Sequence, residues 1–143
     1  SKGLVGFGAQ SMLDGNPSYI VFNGRVGGLS NKLQAKTGEK IRIFIGNGGV
    51  GLVSSFHVIG EIFDIVYPEG AIGSFPLKNI QSTLVPAGGS SIVEFTLDNP
   101  GDYILVDHAL SRVEKGAYGI LHVDGVFNNS IYNPAPKKLS GNH

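Results

Sequence analysis

Four histidines are the only side chains in this 143-residue chain that ligate transition metals well at neutral pH, because cysteine is absent. The missing thiols also exclude disulfides, thiolate nucleophiles, iron–sulfur clusters and every metal centre built on sulfur. His57 lies inside the apolar run Ser55-Phe56-His57-Val58-Ile59, where a histidine is either a hydrogen-bonded core residue or a metal ligand. His108 ends the run Tyr103-Ile104-Leu105-Val106-Asp107, where a strand gives way to a loop and functional residues concentrate. His122 alternates with Leu121 and Val123 and therefore faces away from them, toward solvent. His143 closes a polar tail and carries little signal. A catalytic metal commonly has three protein ligands and one open position, so a metal held by this domain needs at least one ligand from elsewhere. Asp107 beside His108, and Glu61 near His57, are candidate acid–base partners; the alternative for both is a solvated loop carboxylate.

Other chemical templates fail. Gly46-Asn47-Gly48-Gly49-Val50-Gly51 has the glycines of a dinucleotide loop but no helix to follow it. There is no P-loop, no His-Glu-x-x-His and no Gly-x-Ser-x-Gly.

The elements that must position these residues are short strands. Lys40-Ile41-Arg42-Ile43-Phe44-Ile45 alternates, with three isoleucines on one face. Strands are also expected at 19–23, 54–59, 62–67, 81–85, 91–97, 103–106 and 119–123, the fifth of these placing Val93, Phe95 and Leu97 on one side. Turn signals such as Pro68-Glu69-Gly70, Pro86-Ala87-Gly88-Gly89 and Asn99-Pro100-Gly101 separate them at about ten-residue intervals, the spacing of a β-sandwich or barrel. Residues 110–115 allow at most one short helical turn. The class is all-β. Residues 1–18 read as a lead-in or linker, 19–125 as one domain and 126–143, with its Pro134-Ala135-Pro136-Lys137-Lys138, as a C-terminal arm or linker. The chain opens Ser1-Lys2-Gly3 without an initiator Met, so a processed or excised piece of something longer is expected.

Composition bounds the possibilities. With 41% apolar and only 15% charged residues, the chain has the reverse of a disordered composition. Eleven basic residues cancel eleven acidic ones, leaving no net field to attract nucleic acid or anionic lipid. No apolar run is long enough for a membrane span, and no signal peptide opens the chain.

Several segments in order resemble the second cupredoxin domain of copper-containing nitrite reductases, in the form found in neisserial outer-membrane enzymes. They are Tyr19-Ile20-Val21-Phe22-Asn23-Gly24-Arg25-Val26-Gly27-Gly28-Leu29, the run from Leu52 through Phe56-His57-Val58-Ile59-Gly60 to Asp64, Val85-Pro86-Ala87-Gly88-Gly89, and Leu105-Val106-Asp107-His108-Ala109-Leu110. The resemblance covers about residues 17 to 125 and implies a Greek-key β-sandwich of cupredoxin type. It implies a homotrimer in which type 2 copper sits between subunits, with His108 as the one ligand from the second domain. His57 matches the histidine that delivers protons to nitrite, Ile59 the apolar wall of the substrate pocket, and Gln81 a position where many relatives carry a glutamate hydrogen-bonded to that histidine. The first domain, with its type 1 copper, the other two ligands and a catalytic aspartate, is absent from this chain, so the domain alone is expected to be inactive toward nitrite. The family works in the periplasm or on the outer membrane, and some relatives carry similar C-terminal linkers before a fused cytochrome or an anchor. The alternatives are a cupredoxin-fold assembly or binding module and a small copper carrier using His108 with His57 or His143.

Overall fold

The computed structural model describes residues 13–130. Most of the expected lead-in, the Pro134–Lys138 stretch and His143 lie outside them. Nine strands form two sheets: β1 (Leu29–Lys36), β2 (Lys40–Gly46), β3 (Ser54–Val58), β4 (Phe63–Pro68), β5 (Leu77–Ile80), β6 (Ser82–Val85), β7 (Ser90–Thr96), β8 (Gly101–Asp107) and β9 (Tyr118–Asp124). One sheet has the order β1-β9-β8-β3-β6, the other β2-β7-β4-β5. Only the β4–β5 and β8–β9 connections stay within a sheet. Every other one crosses to the facing layer, so the sandwich is interlocked along its length. The Greek-key β-sandwich of cupredoxin type expected from the sequence is the observed architecture.

Alternation explains the layers. In β2, Ile41, Ile43 and Ile45 are half-buried while Lys40, Arg42 and Phe44 face solvent, as the sequence pattern requires. Central strand β7 is buried on both faces: Val93 and Phe95, with Leu97 just beyond the strand, enter the core, and on the other face Glu94 pairs with Arg42 directly across the ladder. The two sheets meet at an aromatic column. Phe56 of one sheet stacks on Phe63 of the other, centroids 5.9 Å apart and planes within 4°. Phe63 in turn leans on Phe95 at 5.7 Å, and Phe22 meets Phe56 edge-on at 6.3 Å. Offset and edge-on aromatic pairs add to the gain from area burial.

Two expectations change. Residues 19–23 form no strand, only an isolated bridge from Phe22 to Arg25, because Asn23 (φ 52°) and Gly24 (φ 75°) turn the chain back on itself. The first strand is instead β1, a polar edge strand held by parallel pairing with β9. The strand expected over 81–85 starts at Ser82, and the chain has just left β5 in the opposite sheet, so Gln81 is the crossing residue. The single short helical turn allowed over 110–115 is present as a three-residue 3₁₀ helix, Leu110–Arg112.

Phe63→Ala should cost about 3–5 kcal/mol, by removing a fully buried ring that both sheets touch. Phe75→Ala, at a residue 99% exposed, should stay within about 0.5 kcal/mol. Urea unfolding of the chain followed by circular dichroism checks both.

Candidate functional site

The pairing of β3 with β8 builds the site. Phe56 lies opposite Asp107, His57 opposite Val106 and Val58 opposite Leu105. Phe56, Val58, Leu105 and Asp107 point inward, so the alternating residues His57 and His108 share the outer face as diagonal neighbours, an arrangement within reach of aromatic rings. Their ring centroids are 5.4 Å apart at an interplanar angle of 45°. Ile59 continues the same face one residue past β3, is 45% exposed and donates its N–H to Ile104 O at 2.8 Å. Gly60, at φ 91°, then turns the chain away, a conformation that a residue with a side chain seldom adopts.

The two histidines sit in different environments. His57 is buried, and its Nδ1 lies 2.6 Å from the backbone O of Gln81. A carbonyl only accepts, so Nδ1 carries the proton and Nε2 is the free nitrogen of the neutral ring. The carbonyl is available because Gln81 sits where the chain changes sheets, between the ladders of β5 and β6. No buried polar side-chain atom lacks a partner among the described residues, and Nε2 has none, so this nitrogen reaches the surface. His108 is exposed. Its N–H donates to Ser55 O at 2.8 Å, and its ring nitrogens have no hydrogen-bond partner among the described residues. Beside it opens a cavity of about 450 Å³ whose lining includes Ser55, Gln81, Ser82, Asp107, His108 and Arg112. His57 and Ile59 lie outside that lining. The Gln81 side chain is exposed, and it is the backbone of this residue that holds His57.

Neither acid–base candidate behaves as a solvated loop carboxylate partnering a histidine. Asp107 is 3% exposed and turned inward. Its Oδ1 accepts the N–H groups of Ser55 (3.3 Å) and Ala109 (3.2 Å), and its Oδ2 accepts Arg112 Nη1 at 2.6 Å. The sequence hides this because strand alternation sends Asp107 to the side opposite His108, and its cation follows five residues later on the 3₁₀ turn. Glu61 is half-buried and accepts the Ile62 N–H at 2.8 Å. Burial raises its carboxyl above the ordinary value; the Ile62 N–H offsets this in part, and Asp64 and Asp98 add to it.

His122 faces solvent as expected, but it is not bare. Nδ1 meets Asp102 Oδ1 at 2.6 Å and Nε2 meets Asp124 Oδ1 at 3.2 Å. Those two hydrogen bonds, the Asp102 one foremost, raise its pKa above the ordinary 6.5. No group of three or more His, Cys, Asp or Glu side chains suited to a metal occurs among the described residues. No helix among them is long and apolar enough to cross a membrane.

An NMR titration of the His122 ring should therefore give a midpoint above 6.5, which Asp102→Asn lowers. Because the folded value is the higher one, the stabilisation is full below the unfolded pKa and disappears as pH rises through the folded one. A midpoint that does not respond to Asp102→Asn would contradict the pairing.

Comparison with known proteins gives one consistent answer. The multicopper oxidase family matches residues 8–125. The chain is 54% identical over 134 residues to the copper-containing nitrite reductase of Neisseria meningitidis serogroup B, covering 92% of this chain and 34% of that protein. It is 33% identical over 118 residues to the copper-containing nitrite reductase of Pseudomonas chlororaphis, covering 80% and 32%. The chain thus spans about a third of the length of the curated relatives it matches. Among solved structures, the copper-containing nitrite reductase from Thermus scotoductus superposes with a TM-score of 0.77 at 30% identity, covering 83% of this chain and 28% of that one. The copper nitrite reductase from Nitrosomonas europaea gives 0.76 at 30% identity, covering 83% and 44%. In fold and in sequence, this chain is a cupredoxin-like domain that belongs to the multicopper oxidase family and is similar to part of the copper-containing nitrite reductases.

Proposed function

We propose that this domain supplies one copper ligand, His108, and one proton-carrying histidine, His57, to a copper centre that reduces nitrite to nitric oxide, and that residues outside the domain complete the centre. The observation that carries this reading is the pair itself: His57 and His108 with ring centroids 5.4 Å apart on one sheet face, one oriented by a carbonyl and the other exposed and unpartnered. The donor set fits copper as a partial site. A neutral imidazole at the surface is a good copper ligand, and one such ligand, with no three-residue cluster among the described residues, suits a centre shared with another domain or subunit. His108 is assigned as that ligand. Copper bound there would supply the electron and an open, Lewis-acidic position for nitrite.

The remaining work falls to the chain's own residues. Reduction of nitrite to nitric oxide consumes one electron and two protons, so a proton carrier must stand beside the substrate. His57 fits this role because its Nδ1–H is committed to Gln81 O, leaving the surface-reaching Nε2 to take up a proton and pass it on. Ile59 presents an apolar side chain on the same face and narrows the space above the copper, excluding water. Gln81 acts through its backbone, and its uncharged amide adds no carboxylate to the surroundings of His57. A type 1 copper needs thiolate, which this chain lacks, so the electron arrives from a type 1 cupredoxin domain in the same or a separate chain. A homotrimer located in the periplasm or on the outer membrane completes the reading.

The domain by itself should bind Cu(II) weakly, with no intense blue absorption, and should not turn over nitrite. Tight one-to-one binding by the isolated chain would favour a copper carrier instead. In the full-length protein, His57→Gln should lower nitrite turnover by about 10²- to 10⁴-fold and flatten its dependence on pH. An unchanged rate and profile would remove His57 from the mechanism.

A further inference from the structure

Asp107 immediately precedes His108, is buried on the alternate side of β8 at the wall of the same cavity, and its side-chain hydrogen bonds all go to backbone or cation around that histidine. Its Oδ1 holds the N–H of Ala109, the residue just after His108, and the N–H of Ser55 on the neighbouring strand. Its Oδ2 holds Arg112 Nη1 at 2.6 Å, and the same Nη1 donates to Val53 O at 2.6 Å. The two hydrogens on that nitrogen allow both bonds at once. With the bond from His108 N–H to Ser55 O, the backbone on both sides of His108 is tied to the start of β3, although β8 has already ended. We propose, on the reading that His108 is a copper ligand, that the Asp107–Arg112 pair is a positioning device that holds residues 107–109 against β3 and so sets the direction of the His108 ring. Stability alone is a poor account of the pair, because a well-packed apolar side chain often serves a buried position as well or better. A carboxylate with fixed donors on both oxygens adds angular definition, which a ligand completing a centre on another surface requires.

Asp107→Asn keeps the shape and removes the charge that Arg112 pairs with, whereas Arg112→Gln leaves the carboxylate in place and removes the guanidinium. In the full-length copper-loaded protein, both should alter the EPR hyperfine pattern of the copper bound through His108 and lower its Cu(II) affinity by about 10- to 100-fold. A clamp serving stability alone would lower the melting temperature while leaving the EPR pattern and the affinity of the folded protein unchanged, and that result overturns the proposal. Should Asp107→Asn fail to fold, Arg112→Gln decides alone, its side chain being 20% exposed. His108→Ala separates the two levels. Retention of the copper in that variant overturns the ligand reading and the positioning role with it. Loss of the copper there, with unperturbed copper in the other two variants, overturns the positioning role only.

Discussion

The register of β3 on β8 is the constraint on which the rest of this domain depends. Placing His57 opposite Val106 sends Phe56, Val58, Leu105 and Asp107 into the sandwich and His57 and His108 onto its outer face. A slip of one residue would reverse every one of these assignments, because side chains alternate with a period of two. Phe56 makes such a slip expensive: it stacks on Phe63 across the two sheets and could not leave that position without opening the aromatic column. The same ring therefore stabilises the core and fixes which face carries the imidazoles.

Polar groups near this register are buried only where they are fully partnered. Asp107 has donors on both oxygens, His57 is held at Nδ1 and exposed at Nε2, and Arg112 serves a carboxylate and a carbonyl with one nitrogen. An unpaired buried polar group costs about 1–3 kcal/mol, and more when charged, so an arrangement this dense persists only if it is complete. Elsewhere the sandwich is held mainly by apolar side chains, with a few partnered polar groups such as Thr83 with Ser91 and the Arg42–Glu94 pair on the outside of the other sheet. Irregular chain, where no ladder claims the backbone, supplies several of the partners: Gln81 at the crossing between sheets, Val53 before β3 and Ala109 after β8.

Much of the architecture was legible because it is written locally. The isoleucines of β2 and the apolar face of β7 follow a two-residue period, and Pro and Gly punctuate the chain where it changes sheets. The errors share one cause. Residues 19–23 look like a strand but have no ladder beside them, whereas β1 carries a weak local pattern and is made a strand by β9, which lies about ninety residues further on. The candidate site divides in the same way. His57 and His108 could be singled out from their positions in apolar runs, while the inward turn of Asp107 and its bond to Arg112 could not, since both depend on the facing strand.

From its amino acids alone this protein is bound to be a β-rich, cysteine-free domain with few chemical side chains and a resemblance strong enough to suggest its relatives, because composition, alternation and motif order are properties of the chain itself. Which of those few side chains meet was decided only when the strands paired. Two histidines about fifty residues apart became neighbours through one antiparallel register, and a carboxylate that reads as a loop residue became the buried anchor beside one of them. Contacts between distant segments depend on packing partners, and no local run of sequence encodes a partner.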